Sequence, residues 1–144
     1  DGACDVYLIF GGVLLSAACV SDKRILNCHA GIIPICRGLD AFKWAIHDGK
    51  PIGVTLHAID ADVDRGEVLA VIPTDVHPSD TLPVLARRHY ENEVDCLSHF
   101  DEFLRSSVNP YADQPAGEPR RRMPQETEKQ LERIFSAYKE KFAA

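Results

Sequence analysis

The residues best suited to chemistry lie where two apolar runs end. The first run gives way to Asn27 and His29, whose side chains share one orientation if the run is a strand. A later apolar run is followed by three acids spaced by two, Asp60, Asp62 and Asp64. An amide, an imidazole and a carboxylate together can stabilise a developing negative charge and accept a proton. The pattern therefore predicts a site at the ends of two strands.

Three motifs occur in a fixed order along the chain. They are Asn27-x-His29-x-Gly31-x-x-Pro34-x-x-Arg37-Gly38, Gly53-Val54-Thr55-Leu56-His57 and Val63-Asp64-x-Gly66. This arrangement resembles the catalytic half of the N10-formyltetrahydrofolate-dependent formyltransferases, which include glycinamide ribonucleotide, methionyl-tRNA and nucleotide-linked amino-sugar N-formyltransferases. The resemblance runs from about Asp5 to about Leu104. It implies an α/β formyltransferase (Rossmann-like) fold and an enzyme that transfers a one-carbon group.

The resemblance implies that Asn27, His29 and Asp64 are catalytic. Formyl transfer to an amine places negative charge on the former carbonyl oxygen, and Asn27 and His29 would donate to that oxygen. A carboxylate near His29 would favour its protonated, more strongly donating form. Asp64, directly or through a water, would take the proton of the attacking amine. Without the resemblance, Asn and His after a strand could equally satisfy backbone groups, and His57 could support the site or be a satisfied strand histidine.

The resemblance also implies two binding regions. One wall of the folate pocket would run from Phe10 to Leu15, and backbone groups of Ile59 to Asp62 would surround the pterin ring. The folate-binding residues expected are Phe10, Gly11, Gly12, Val13, Leu14, Ile59, Asp60, Ala61 and Asp62. The loop from Ala30 to Gly38 would lie beside the amine acceptor, with Gly31, Pro34 and Arg37 binding it. Arg37 could receive a phosphate or carboxylate, or only brace the loop.

Two metal-binding interpretations fit the sequence poorly. The three acids could be calcium ligands, but an EF-hand loop starting at Asp60 would have Arg65 at its sixth position and Val71 at its twelfth. Cys28, Cys36 and His29 could suggest zinc, but Cys28 points away from His29 by the period of two of a strand. We therefore expect no metal.

Composition limits the class of function. The chain has 144 residues, is 45% hydrophobic and 26% charged, and carries a formal charge of −6. These values indicate one globular domain and disfavour a nucleic-acid partner held by phosphate contacts. The five cysteines form no Cys-x-x-Cys pair, and the longest apolar run is interrupted by Gly11, Gly12 and Ser16. We expect a cytoplasmic enzyme with reduced cysteines, no membrane partner and a small-molecule amine acceptor.

The apolar periodicity predicts alternating strands and helices. Strands are expected at Asp5 to Phe10, Arg24 to Cys28, Ile52 to Ile59 and Glu67 to Thr74, and helices at Val13 to Val20, Leu39 to Asp48 and Gln125 to Phe142. Ser79 with Asp80 would cap a further long helix. Its core-facing stripe would be Leu82, Leu85, Tyr90, Val94, Leu97, Phe100 and Leu104. The initial strand, helix, strand order is the parallel α/β pattern, with ligands expected at the carboxyl ends of the strands.

The chain divides into three segments by composition. Residues 1–105 form the catalytic half-domain, 106–124 a Pro-rich irregular segment, and 125–144 an amphipathic C-terminal helix. Family members carry further strands before the point where this chain begins, at Asp1 without a methionine. We therefore expect part of a longer protein, or a chain whose uncovered sheet edge makes it a homodimer or weakly active.

The resemblance restricts the range of possible amine acceptors. The tRNA enzyme carries an additional C-terminal domain, whereas about forty residues follow the long helix here. The local sequence around Asn27 and His29, with Arg37-Gly38 and the aromatic Phe42 and Trp44, resembles that of the amino-sugar N-formyltransferases more than that of the purine enzyme. We expect a nucleotide-linked 4-amino sugar. The alternatives are glycinamide ribonucleotide as acceptor, a formyltetrahydrofolate hydrolase that uses water, and an inactive folate-binding or interaction fragment.

Overall fold

The computed structural model describes residues 6–11, 15–20, 23–59 and 66–144. In these ranges four strands form one sheet in the order β1 (Val6–Ile9), β2 (Arg24–His29), β3 (Gly53–Ala58) and β4 (Val68–Pro73). The helices there are α1 (Ala17–Val20), α2 (Ala41–His47), α3 (Leu82–Ser98), α4 (Phe100–Phe103), α5 (Gln125–Glu128) and α6 (Leu131–Phe142). The chain is an α/β protein, as the sequence predicts. No helix in these ranges is both long and apolar enough to cross a membrane.

The sheet is mixed, with a parallel pair at the start of the chain, where the sequence predicts one, and antiparallel pairs after it. β1 and β2 are parallel, as the intervening α1 suggests, but β2 with β3 and β3 with β4 are antiparallel. A short connection such as that from β3 to β4 can join antiparallel neighbours, whereas a parallel pair needs a longer crossover. The ladder between β3 and β4 is irregular at Leu56 and His57.

The two faces of the sheet differ in character. On one face, Leu26 and Cys28 of β2 join Val54 and Leu56 of β3 in a buried cluster that includes Cys96 of α3. On the other face, the alternation of the strands places Asn27, His29, Thr55 and His57 together. The apolar face thus anchors the sheet to α3, and the polar face carries the predicted chemistry.

A second apolar cluster lies between α2 and α6. Ala41, Ala45 and Ile46 of α2 pack with residues of α6. The α6 residues in this cluster are Leu131, Phe135 and Tyr138, all on the side of the helix that the sequence predicts to be apolar. The single helix expected from Gln125 to Phe142 is divided into α5 and α6. The division of the chain at residues 105 and 124 stays a prediction.

The long helix starts later than the sequence indicates. Its N-cap is Thr81, whose Oγ1 accepts a hydrogen bond from the Val84 amide, and not Ser79 or Asp80. The Asp80 carboxylate instead accepts two hydrogen bonds from Arg88, at 2.7 and 2.8 Å, and one from the His77 amide. The Arg88 guanidinium holds the pKa of Asp80 at about 2. Asp80 is therefore a buried ion-pair partner, and the cap is left to the hydroxyl one residue later.

The apolar stripe predicted for this helix is wrong in its middle. Tyr90 is 53% exposed and Val94 is 42% exposed. The buried residues of α3 are Leu85, His89 and Cys96. The next residue of the predicted stripe after Leu85 is Tyr90, five positions later. Residues of a helix share one face only at steps of three and four, so the stripe leaves the core there. The buried face therefore includes a histidine that apolar periodicity does not reveal.

Candidate active site

The end of β2 places two polar side chains on one face and a thiol on the other. Asn27 and His29 lie on the polar face of the sheet, while Cys28 points into the cluster with Cys96. A hydrogen bond with the Cys96 thiol and burial both raise the pKa of Cys28. Cys28 therefore remains a neutral core thiol and shares no site with His29.

Asn27 is held by the residue opposite it on β3. Asn27 and His57 are partners in the ladder, and Asn27 Nδ2 lies 3.3 Å from His57 Nε2. The other ring nitrogen of His57, Nδ1, lies 3.1 Å from the Ala58 carbonyl oxygen. A carbonyl can only accept, so Nδ1 carries the proton and Nε2 accepts from the Asn27 amide. His57 thus fixes the plane of the Asn27 carboxamide, whose nitrogen has a second hydrogen to donate.

His29 is buried against the loop that follows it. Its Nε2 lies 2.8 Å from the Cys36 carbonyl oxygen and donates to it. Its ring meets the His57 ring edge to face, with centroids 6.3 Å apart. Gly31 gives the ring its space, because a Cβ there would lie 2.9 Å from His29 Nε2 and 2.7 Å from the Cys36 oxygen. Gly31, expected to bind the acceptor, is therefore also a packing position for His29.

Thr55 fastens the same loop to the sheet. Its hydroxyl donates to the Gly31 carbonyl at 2.7 Å and accepts from the Ile33 amide at 3.1 Å. Thr55 is fully buried and pairs with His29 across the β2–β3 ladder. The loop and the imidazole are thus held from one strand. Sequence reasoning missed this role, although the position of Thr55 two residues before His57 places it on the same strand face.

Residues 109–123 lie across the outer side of the loop. The Asn109 side chain donates to the Ile33 carbonyl at 3.2 Å, and the Gly117 amide donates to the Pro34 carbonyl at 2.8 Å. Arg37 is only 4% exposed, and its guanidinium donates to the Gly117 carbonyl at 3.2 Å. These contacts favour the bracing role of Arg37 that the sequence left open. Its role toward an acceptor remains a proposal.

A cavity of about 400 Å³ opens beside Arg37. Lys50 and Arg120 also line it, together with Asp48 and Trp44. Arg120 forms an ion pair with Asp48 at 2.8 Å and lies over the Trp44 ring at 4.4 Å. The cavity therefore combines cationic groups with an aromatic wall.

The expected folate-binding residues are only partly within the described ranges. Gly12, Val13, Leu14, Asp60, Ala61 and Asp62 lie outside those ranges, as does the expected catalytic Asp64. Phe10 follows β1 and is exposed, with its ring 5.7 Å from that of Tyr90. The Ile59 amide donates to the Ile25 carbonyl. β1 and β3 thus bring Phe10 and Ile59 to opposite sides of β2, the strand that carries Asn27 and His29.

Within the described part of the chain, no three His, Cys, Asp or Glu side chains are grouped so that they could hold a metal ion. Asp60, Asp62 and Asp64 lie outside that part. In the described residues, Asn27 keeps an amide hydrogen that can be donated to a ligand, and His29 lies two residues further along the same face of β2.

Residues 6–100 match the formyl transferase family. The chain belongs to this family. The match includes the Asn27-x-His29 motif and the whole of β3, so the resemblance predicted from the motifs is confirmed.

Two curated formyltransferases are similar over 86 residues. The chain is 33% identical to dTDP-4-amino-4,6-dideoxyglucose formyltransferase of Mycobacterium bovis, across 59% of this chain and 37% of that protein. It is 31% identical to phosphoribosylglycinamide formyltransferase of Bacillus subtilis, across 59% of this chain and 43% of that protein. The matched part is less than half the length of either relative.

A solved formyltransferase has the same fold. It is the formyltransferase PseJ from Anoxybacillus kamchatkensis, in complex with UDP-4,6-dideoxy-4-formamido-L-AltNAc and tetrahydrofolate. The TM-score is 0.70 at 23% identity, over 90% of this chain and 70% of that chain. The formyltransferase fold expected for this family member is confirmed.

Proposed function

We propose that this chain transfers a formyl group from N10-formyltetrahydrofolate to the primary amine of a nucleotide-linked amino sugar. The observation that carries the proposal is the placement of Asn27 and His29 on one face of β2, with the Asn27 amide oriented by His57. The placement lies inside the region that matches the formyl transferase family. Asp64 completes the proposed catalytic set.

Each residue has a distinct task in the proposed reaction. Asn27 donates its second amide hydrogen to the formyl oxygen as negative charge develops there. His29 lies two residues further along the same face and supplies the second donor. Its Nε2 donates to the Cys36 carbonyl oxygen, so the proposal assigns the second donation to the Nδ1–H of the protonated imidazole, the form that a nearby carboxylate favours. Asp64, directly or through a water, takes the proton from the amine.

The names of the relatives support an amino-sugar acceptor. One curated relative acts on a dTDP-linked 4-amino sugar, and the solved neighbour holds a UDP-linked formamido sugar with tetrahydrofolate. The cavity beside Arg37 also contains Lys50 and Arg120, whose charged groups can pair with phosphates. A phosphate there would compete with Asp48, which already pairs with Arg120. Glycinamide ribonucleotide is the second candidate, favoured by the Bacillus subtilis relative.

The described cysteines, Cys19, Cys28, Cys36 and Cys96, are free thiols. Free thiols suit a reducing compartment. We therefore place the reaction in the cytoplasm as part of the proposal.

The test is a deformylation assay with the natural full-length polypeptide. The absorbance change of N10-formyltetrahydrofolate is followed with dTDP- and UDP-linked 4-amino sugars, with glycinamide ribonucleotide and with no amine. Turnover that needs an amino sugar and is lost in Asp64→Asn supports the proposal, and Asp113→Asn, at an exposed site in the irregular segment, is the matched control.

Other outcomes assign the alternatives. Turnover only with glycinamide ribonucleotide would make that compound the acceptor. Deformylation without any amine would identify a hydrolase. Folate binding without turnover would indicate an inactive binding protein.

A further inference from the structure

Helix α3 carries a buried histidine beneath the loop that follows His29. His89 is 4% exposed, and its Nε2 lies 3.3 Å from the Ala30 carbonyl oxygen. Its Nδ1 lies 2.9 Å from Thr74 Oγ1, just after β4. Thr74 Oγ1 in turn lies 3.1 Å from the Asn92 amide nitrogen. The contacts form one chain of hydrogen bonds from Asn92 to Ala30.

The direction of each hydrogen bond follows from the end groups. The Asn92 amide nitrogen can only donate, and the Ala30 carbonyl oxygen can only accept. The Thr74 oxygen therefore accepts from Asn92 and its O–H donates to His89 Nδ1. This leaves the proton of the neutral imidazole on Nε2, where it is donated to Ala30. Burial lowers the pKa of His89 to about 4, and the charge of nearby His29 acts in the same direction.

The carbonyl that His89 holds is that of Ala30, the residue next to His29. Thr55 holds the following carbonyl, that of Gly31, at 2.7 Å. Two successive carbonyls after His29 are thus bonded to side chains from two different elements, α3 and β3. The β2–β3 ladder holds His29 itself opposite Thr55, so the backbone before and after His29 is fixed, which limits the positions open to its ring.

If His89 only filled space in the core, it would not need these hydrogen bonds. A leucine or phenylalanine could fill the space beside Phe42, whose ring lies 4.7 Å from that of His89. The hydrogen-bonded chain instead buries the polar side chains of Thr74 and His89, which costs desolvation free energy unless their hydrogen bonds are made. Such a chain is suited to fixing one orientation of the backbone.

We propose that His89 is a positioning residue for the reaction, holding the peptide after His29, and so the His29 ring, in register with the reacting formyl group. This inference rests on the proposed formyl transfer. His89 itself touches no reacting atom. It acts through the Ala30 carbonyl, and Thr74 acts through His89 by holding the proton on Nε2.

Paired variants separate positioning from packing. Gln places an N–H near the position of His Nε2, whereas Asn is too short to reach Ala30. We expect His89→Asn to lower kcat about tenfold and to leave KM for the formyl donor within about twofold, as for other groups that orient a catalytic residue. His89→Gln should recover most of kcat. Thr74→Val, which keeps the ring, should resemble His89→Asn, and the exposed His99→Asn is the control.

A second readout does not depend on turnover. In spectra of the ¹⁵N-histidine-labelled protein at pH 7, His89 should be the neutral tautomer with the proton on Nε2. The His29 ring signals should shift in His89→Asn and Thr74→Val, and stay in place in His89→Gln and His99→Asn.

The outcomes distinguish the two proposals. If His89→Gln loses as much kcat as His89→Asn, or if Thr74→Val and His89→Asn keep kcat and the His29 signals unchanged, the positioning role is wrong. If the unaltered protein transfers no formyl group, the proposed function fails, and the His29 signals alone decide whether His89 holds that ring. If the His89 variants do not fold, Thr74→Val provides the decision.

Discussion

At the scale of single residues, the orientation of Asn27 is set by a hydrogen bond across the sheet. His57 can accept from Asn27 because its own Nδ1 proton is engaged by the Ala58 carbonyl. The tautomer of one histidine thereby decides which way an amide on the next strand donates. His57 therefore orients Asn27, and its support of the reaction stays a proposal.

Replacement of Asn27 by Asp removes the donor without changing the shape of the side chain. An ionised carboxylate only accepts hydrogen bonds and would repel a developing oxyanion. We expect Asn27→Asp to lower kcat by about 100- to 1,000-fold, the usual cost of losing one such donor. Steady-state deformylation kinetics with the preferred amine test this. A variant with kcat within about threefold of the unaltered protein would exclude Asn27 as a donor to the reacting oxygen.

A methyl group at Gly31 should disturb the site directly. An added Cβ would lie 2.7 Å from the Cys36 carbonyl oxygen, 2.7 Å from Ala41 Cβ and 2.9 Å from His29 Nε2. We expect Gly31→Ala to destabilise the protein by about 2 kcal/mol, measured by urea unfolding. Adding Ala41→Gly should restore only part of this loss, because the Cys36 oxygen remains. An unchanged unfolding midpoint would show that the loop is not packed in this way.

At the scale of elements, α3 carries two titratable groups whose charged forms are disfavoured. Burial raises the pKa of Glu93 to about 7. Glu93 lies near the thiols of Cys28 and Cys96. Burial lowers the pKa of His89 to about 4. Because its pKa is raised, Glu93 contributes to the free energy of unfolding below its ordinary pKa of 4.5. This contribution is lost as pH rises through 7. Because its pKa is lowered, His89 contributes to the free energy of unfolding above its ordinary pKa of 6.5. This contribution is lost as pH falls through 4.

A neutral isostere at Glu93 should therefore stabilise the protein increasingly as pH rises from 4.5 to 7, with the full effect above pH 7. After allowance for the partial exposure of this carboxyl, we expect Glu93→Gln to raise the free energy of unfolding by about 1 kcal/mol at pH 8. At pH 5 the effect should nearly vanish, since the folded protein then carries Glu93 protonated. Chemical denaturation at both pH values measures the difference, with the exposed Glu140→Gln as control. An equal effect at both pH values would contradict the burial of a charge.

At the scale of the whole molecule, β1 and α3 share an exposed apolar face. Leu8, Phe10, Tyr90 and Val94 are large apolar residues with substantial exposure, and the Phe10 ring lies 5.7 Å from the Tyr90 ring. Within the described residues, β1 is paired with β2 along one side and with no strand along the other. An edge strand that is flanked by exposed apolar side chains favours pairing with another chain.

We expect the isolated 144-residue chain to form a homodimer through this face. Leu8, 43% exposed on β1, is a suitable position for a charge, and Leu8→Lys should return the chain to a monomer. Val108→Lys, at an equally apolar and more exposed position elsewhere, should leave the dimer intact. Sedimentation or light scattering measures the mass. A monomer at every accessible concentration, or a dimer that is lost equally in both variants, would refute the proposed interface.

Local pattern by itself determined the strands, the common face of Asn27 and His29, the opposite direction of Cys28 and the family of the chain. These features depend on alternation along a strand and on motifs within short stretches, so neighbouring residues encode them. Only the tertiary structure decided that His89 holds Ala30, that Asn109 holds Ile33 and that Thr81 caps α3 while Asp80 pairs with Arg88. His89 and Asn109 bind groups that are distant in the sequence. Asp80 does not cap the helix because it pairs with Arg88, two turns into the helix. Periodicity reports which face of an element is apolar, but it does not report which distant polar group that face will meet.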